Sequence, residues 1–233
     1  MGKDVIIACD FSTRGQVNEF LSRFGEKRPF VKIGMELYYA EGPQIVRDLK
    51  ARGHKIFLDL KLHDIPNTVK KAMAVLAGLG VDMTNLHAAG TRQMMEAARE
   101  GLNEGGGADT ILIAVTMLTS VSDAAMRAEL RIDRPVSEIV MRYAENAKSA
   151  GLNGVVCSPL EAGAVHSACG AEFLTVTPGV RFAGGEAGDQ SRIATPAGAR
   201  ALGSDYIVVG RPITAADDPL AAYARCMDEF VGG

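Results

Sequence analysis

The charged residues that could do chemistry are concentrated at positions 55–64, which read KIFLDLKLHD. Side chains alternate between the two faces of a β-strand. Phe57, Asp59 and Lys61 therefore share one face, and Ile56 and the leucines at 58, 60 and 62 share the other. A carboxylate and an ammonium group are costly to bury unless they are paired. The pattern indicates a buried Asp/Lys pair, with Asp64 just beyond it in a loop.

Two earlier segments carry charges in similar positions. Asp10 follows the apolar run at 4–9, and Lys32 lies in FVKIG at 30–34, on the face opposite Val31 and Ile33. If these segments are neighbouring parallel strands, Asp10 and Lys32 meet the pair of the third strand at one end of the sheet. One interpretation is a structural ion-pair network. The other is a Lys/Asp array that sets the charge at a reacting atom.

A third group of residues is suited to binding phosphate. The segment at 177–192, TPGVRFAGGEAGDQSR, has four glycines and also contains Arg181, Gln190 and Arg192. A later strand ends in Gly210-Arg211-Pro212. Glycine permits close approach of a ligand to the backbone, and the guanidinium group of arginine binds phosphate through paired hydrogen bonds. The sequence predicts a glycine-rich lid and a phosphate site here.

These residues require a scaffold of alternating strands and helices. The apolar and β-branched runs that predict strands are at 4–9, 30–34, 55–60, 82–86, 110–115, 154–157, 173–176 and 206–209. Helical patterns follow at 15–25, 41–52, 66–79, 91–104, 135–150, 159–168, 196–202 and 219–231. Eight β/α units in strict alternation predict an α/β protein with one (β/α)8 TIM barrel as a single catalytic domain over 1–233. An open, doubly wound sheet is the alternative.

Composition excludes several other classes. Apolar residues make up 47% of the 233 residues, and the net charge is −3, which disfavours a nucleic-acid binder. We also expect no membrane segment, because no apolar run approaches the length of a membrane helix, and no signal peptide. These two expectations together predict a cytoplasmic protein. The four cysteines and four histidines show no metal-ligand spacing, so the sequence predicts reduced thiols and no metal site.

The motifs together resemble the orotidine 5′-phosphate decarboxylase family. The resemblance rests on LDLKLHDIPNTV at 58–69, which contains Asp-x-Lys-x-x-Asp, and it extends over the whole chain. The further matches are Asp10, VKIG, VTMLTS, TPGVR with the later GDQ, and VGRPIT. The resemblance implies a cofactor-free carboxy-lyase that converts orotidine 5′-phosphate to UMP in pyrimidine biosynthesis.

The resemblance also implies a role for each matched residue. Lys61 would donate the proton within a charged tetrad completed by Lys32, Asp59 and Asp64. The enzyme would be a homodimer, with Asp64, Ile65 and Thr68 reaching the active site of the partner subunit. The substrate contacts would be Asp10 and Lys32 with Asp64 and Thr68 on the ribose, Thr119 on the pyrimidine, and Arg181, Gln190, Gly210 and Arg211 at the 5′-phosphate.

Two alternatives remain at this point. A related sugar-phosphate decarboxylase or lyase of the same barrel type would share the Asp-x-Lys-x-x-Asp pattern but would use Mg²⁺. A barrel that binds a phosphate ligand without catalysis would have no need to concentrate Asp59, Lys61 and Asp64 in one place. A requirement for metal would favour the first alternative, and retained turnover without Lys61 would contradict the catalytic assignment.

Overall fold

The computed structural model describes residues 3–184 and 194–232, which contain a closed barrel of eight parallel strands. Each strand pairs with the next along the chain, and the last pairs with the first. The strands are β1 (Asp4–Ala8), β2 (Phe30–Gly34), β3 (Ile56–Leu62), β4 (Met83–His87), β5 (Ile111–Val115), β6 (Gly154–Val156), β7 (Leu174–Thr177) and β8 (Tyr206–Val209). The predicted α/β barrel is confirmed, and the open-sheet alternative is wrong.

Helices connect the strands, and three of them were not predicted. The helices are α1 (Arg14–Ser22), α2 (Met35–Glu41), α3 (Gln44–Ala51), α4 (Pro66–Ala77), α5 (Thr91–Glu104), α6 (Asp123–Glu129), α7 (Val136–Ser149), α8 (Ala162–Cys169), α9 (Pro196–Ala201), α10 (Arg211–Thr214) and α11 (Pro219–Phe230). The unpredicted α2, α6 and α10 have at most seven residues, too few to show a clear helical period. The helix predicted at 41–52 begins only at Gln44, because Gly42 at φ 67° and Pro43 separate α2 from α3.

The strands have two different faces, as their alternating pattern predicted. Ile56, Leu58 and Leu60 of β3 belong to the large apolar core between the sheet and the helices. Phe57 belongs to a smaller core inside the barrel. The other members of this inner core are Ile6, Ala8, Phe30, Met83, Ile111, Ile113, Leu174, Val176, Tyr206 and Val208. Charged residues that share the inner face therefore lie above a packed floor.

Close packing of two helices fixes the segment that follows β3. A Cβ atom added at Gly101 of α5 would lie 2.0 Å from the carbonyl oxygen of Lys70 in α4, and one at Gly105 would lie 2.4 Å from that of Ala74. The two backbones can approach this closely only because neither glycine has a side chain. Since α4 begins at Pro66, this contact anchors the chain just after Asp64.

Two further expectations can be compared with the described part of the chain. The four cysteines are all buried and free, which confirms the prediction of unpaired thiols. Among the described helices, none combines the length and the apolar character needed to cross a membrane.

Candidate active site

Four charged side chains meet at the carboxyl ends of β1, β2 and β3. The Nζ atom of Lys32 lies 2.8 Å from Oδ1 of Asp10 and 3.4 Å from Oδ2 of Asp59. The Nζ atom of Lys61 lies 2.6 Å from Oδ1 of Asp59. Asp59 therefore contacts two ammonium groups, that of Lys61 through Oδ1 and that of Lys32 through Oδ2. We call Asp10, Lys32, Asp59 and Lys61 the charged array.

The strand register explains why these residues meet. Ala8 of β1 is level with Lys32 of β2, and Gly34 of β2 is level with Asp59 of β3. The inner-face side chains of adjacent strands are therefore neighbours. Gly34 leaves room above Lys32, since a Cβ atom there would lie 3.2 Å from the Lys32 Nζ atom.

The buried centre of the array is held in its ionised form by mutual attraction. Burial alone would raise the pKa of Asp59, but the Lys32 and Lys61 ammonium groups outweigh that effect and lower its pKa. Burial alone would lower the pKa of Lys32, but the carboxylates of Asp59 and Asp10 raise it overall. Lys32 and Asp59 are therefore fixed charges at neutral pH.

Asn85 is a member of the site that the sequence did not identify. Its Nδ2 atom donates to Oδ1 of Asp59 at 2.7 Å, and its Oδ1 atom accepts the backbone N–H of Lys61 at 2.8 Å. Asn85 lies on β4 and is buried. A signal was available, because an amide at the centre of a buried strand, next to the strand that carries Asp59, requires a hydrogen-bond partner.

A cavity of about 330 Å³ opens above the array at the carboxyl end of the barrel. Its wall is mixed, with charged and amide groups on one side and apolar groups on the other. The lining residues are Lys32, Phe57, Asp59, Lys61, Asn85, Val115, Met117, Leu118, Thr119, Ser120, Val156, Cys157, Pro178 and Val208. The cavity suits a small ligand that has both apolar area and a few polar groups.

Asp64, the fourth member of the expected tetrad, and its neighbours Ile65 and Thr68 are absent from the lining of this cavity. Asp64 is exposed, and its Oδ1 atom accepts the backbone N–H of Ile65 at 2.6 Å. Thr68 is exposed, and the side chain of Ile65 is 66% exposed although it is apolar. Within residues 3–184 and 194–232, no hydrogen bond or ion pair joins Asp64 to the charged array of its own chain.

The candidate phosphate residues lie near the ends of β7 and β8. Arg181 is half-buried, and its backbone N–H donates to the carbonyl of Ala194 at 3.0 Å. Gly210 immediately precedes α10, which begins with the exposed Arg211. Gln190 and the second half of the predicted lid, 185–192, lie outside the described residues.

The described residues also bear on metal binding. Over residues 3–184 and 194–232, there is no group of three or more His, Cys, Asp or Glu side chains arranged to hold a metal ion.

Comparison with known proteins identifies the family. Residues 3–226 match the model of the orotidine 5′-phosphate decarboxylase / HUMPS family. The chain belongs to this family. The orotidine 5′-phosphate decarboxylase of Bacillus caldolyticus is 57% identical over 231 residues, covering 98% of this chain and 95% of that protein. That of Geobacillus thermodenitrificans is 55% identical over 231 residues, covering 98% of this chain and 97% of that protein.

Two solved structures of similar length have the same fold. The crystal structure of orotidine 5′-phosphate decarboxylase from Lactobacillus acidophilus has a TM-score of 0.89 and 45% identity, covering 98% of this chain and 99% of that one. An uncharacterized conserved protein from Geobacillus kaustophilus has a TM-score of 0.87 and 52% identity, covering 97% of this chain and 99% of that one. The family resemblance drawn from the motifs is therefore confirmed, and with it the assignment to an enzyme family named for a carboxy-lyase.

Proposed function

We propose that this protein decarboxylates orotidine 5′-phosphate to UMP and CO₂, with Lys61 as the proton donor and without a cofactor. The observation that carries the proposal is the pairing of Lys61 with Asp59 at 2.6 Å on the wall of the cavity. The names of the close relatives support the substrate. We further propose that the whole chain, 1–233, acts as one catalytic barrel domain.

The reaction requires stabilisation of an unusual anion. Loss of CO₂ from C6 of the orotate ring leaves an electron pair in the ring plane, where the ring carbonyls cannot delocalise it. An ammonium group held near C6 favours the developing negative charge and then transfers a proton to that carbon. Lys61 has the correct charge for both steps, and Asp59 holds it in place.

Asp59 also contributes by repelling the carboxylate of the bound substrate. If the substrate carboxylate lies beside that of Asp59, two like charges about 4 Å apart repel by about 4 kcal/mol at an effective dielectric constant of 20. Loss of CO₂ removes this repulsion. The lowered pKa of Asp59 supports this contribution, because the carboxylate stays ionised at neutral pH.

We propose the other contacts from the family resemblance, and the positions of the described side chains are compatible with them. Asp10 and Lys32, paired at 2.8 Å at the rim of the array, would bind the ribose hydroxyl groups. Thr119 lines the cavity and would contact the pyrimidine. The 5′-phosphate would bind Arg181, Gln190, Gly210 and Arg211.

A homodimer would complete the site. Asp64, Ile65 and Thr68 are exposed on one short segment before and within the first turn of α4, and the apolar Ile65 is 66% exposed there. We propose that these three residues enter the active site of the partner subunit, with Asp64 completing the tetrad and sharing the ribose with Thr68.

Ultraviolet absorbance tests the reaction directly. Orotidine 5′-phosphate is mixed with the purified protein in excess EDTA, and the spectrum is expected to change to that of UMP. Lys61→Ala should abolish turnover and retain UMP binding. Lys55→Ala is the matched control, because Lys55 is an exposed lysine just before the other end of β3 and should leave turnover unchanged.

The remaining outcomes separate the alternatives. No reaction in EDTA, together with Mg²⁺-dependent activity on a sugar phosphate, would replace the proposal with the related lyase. Binding of UMP without turnover of either substrate would indicate a barrel that only binds. Unchanged turnover in Lys61→Ala would refute the assignment of the proton donor.

A further inference from the structure

A single amide side chain connects the two central members of the charged array. Asn85 donates from Nδ2 to Oδ1 of Asp59, the same oxygen that accepts the Lys61 ammonium group at 2.6 Å. Through its own Oδ1 atom it accepts the backbone N–H of Lys61 at 2.8 Å. Asn85 is 1% exposed and lines the cavity. Both hydrogen-bonding ends of the amide are therefore used within the site.

The backbone of Lys61 needs such a partner. Lys61 has φ 53°, in the left-handed region that residues with a Cβ atom rarely adopt. The pairing of β3 with β4 shifts around it, since Leu58 is level with Thr84 but Leu62 is level with Leu86. At this irregularity, the Oδ1 atom of Asn85 accepts the hydrogen bond from the backbone N–H of Lys61. A strained residue of this kind persists only where surrounding contacts hold it.

We propose that Asn85 is a positioning residue, which fixes the backbone of Lys61 and the carboxylate of Asp59 so that the ammonium group points into the cavity. The catalytic consequence rests on the proposed function, whereas the effect on the Lys61 backbone does not. The amide works in only one orientation, because a reversed amide would bring donor against donor at Lys61 and acceptor against acceptor at Asp59.

Hydrogen exchange of the Lys61 amide tests the positioning without any substrate. In Asn85→Ala, exchange at Lys61 should accelerate about tenfold or more. The same acceleration is expected in Asn85→Leu, which keeps the branched shape of the side chain and serves if the alanine variant fails to fold. Unchanged protection in both Ala and Leu variants would overturn the proposal.

Thr84→Val provides the matched control for the catalytic consequence. Thr84 precedes Asn85 on β4, is also buried, and donates from its hydroxyl to the carbonyl of Leu58 on the same neighbouring strand. Removing Asn85 should lower kcat roughly 10- to 100-fold with UMP affinity little changed. Thr84→Val should leave kcat and the Lys61 exchange rate unchanged.

The outcomes distinguish this inference from the proposed function. An inactive wild-type protein contradicts the proposed function, while the exchange measurement still decides whether Asn85 holds Lys61. An active wild type with unchanged kcat in Asn85→Ala or Asn85→Leu overturns the positioning role. Equal losses of kcat in Thr84→Val and the Asn85 variants would also overturn it, because general weakening of β4 would then suffice.

Discussion

Replacing Asp59 by asparagine should destabilise the fold far more than the same change at Asp10. Both carboxylates contact Lys32, and Asp10 is the closer, at 2.8 Å against 3.4 Å. Their surroundings differ, because the side chain of Asp59 is 10% exposed and that of Asp10 is 61% exposed. Asp59 also neutralises Lys61. The distances to Lys32 alone would make Asp10→Asn the more destabilising change, whereas burial makes Asp59→Asn the more destabilising one.

The structure gives the magnitude. At an effective dielectric constant of 20, separations of 2.6 Å and 3.4 Å correspond to attractions of about 6 and 5 kcal/mol for Lys61 and Lys32. The cost of burying the charges offsets most of this, and loss of one partner of a buried pair usually costs about 3–5 kcal/mol. In Asp59→Asn, Lys32 would still be paired with Asp10, and Lys61 would still reach the cavity, so neither ammonium group would be fully uncompensated. We therefore expect Asp59→Asn to lower the free energy of unfolding by about 3 kcal/mol, the lower end of that range. Because the Asp10 side chain is exposed, we expect Asp10→Asn to lower the free energy of unfolding by at most about 1 kcal/mol.

Urea unfolding at neutral pH measures both values at one fixed protein concentration, since any association would add to the apparent stability. A loss of about 3 kcal/mol corresponds to a Tm decrease of about 6–12 °C for a domain of this size. Equal losses in the two variants would refute the argument from burial. A more stable Asp59→Asn would show that the buried charges are a net cost to the fold.

Three further predictions follow from individual groups. The fold lowers the pKa of Asp59, so the ionised carboxylate stabilises the protein above the unfolded-state pKa of about 3.9. That stabilisation is lost as the pH falls through the folded-state pKa. In unfolding experiments at decreasing pH, the difference in stability between wild type and Asp59→Asn should therefore shrink. Gly101→Ala should lower stability by about 1–3 kcal/mol or more in thermal unfolding because its Cβ would clash with α4, whereas Gly15→Ala, at an exposed and open position of α1, should raise it by about 0.4–1 kcal/mol. Burial raises the pKa of the Cys9 and Cys226 thiols to about 12, so a thiol reagent at about pH 8 should label these two, as read by mass spectrometry, only when the protein unfolds; rapid labelling of the native protein would contradict this.

The sequence predicted the barrel and the charged array because both depend on local periodicity. Alternation within β3 is sufficient to place Asp59 and Lys61 on the inner face, and the β/α order places β1, β2 and β3 side by side. The additional helices α2 and α6 were missed because seven residues give fewer than two turns. Ser122 carried a signal for α6, since it accepts a hydrogen bond from the backbone N–H of Ala125 as its N-cap.

The role of Asn85 could not be predicted in the same way. Its contacts depend on the register shift between β3 and β4 and on the positive φ of Lys61, and both arise from tertiary structure. The alternating pattern shows that residue 85 faces inward, but not that its amide reaches the backbone of the neighbouring strand. The proposed contacts across a dimer also could not be derived from periodicity, because the exposure of Ile65 in one chain does not identify the group that covers it.

The geometry separates the charged array, which one barrel assembles by itself, from Asp64, which lies outside it. Asp59 receives Lys32, Lys61 and Asn85 from its own barrel, so the proposed proton donor is oriented before substrate arrives. Such preorganisation is effective because no protein group must reorient as charge develops. Asp64 instead uses its carboxylate on the adjacent backbone N–H, outside the array. If the proposed dimer separates, the Lys61–Asp59 unit should therefore remain assembled, whereas the fourth member of the tetrad would be lost.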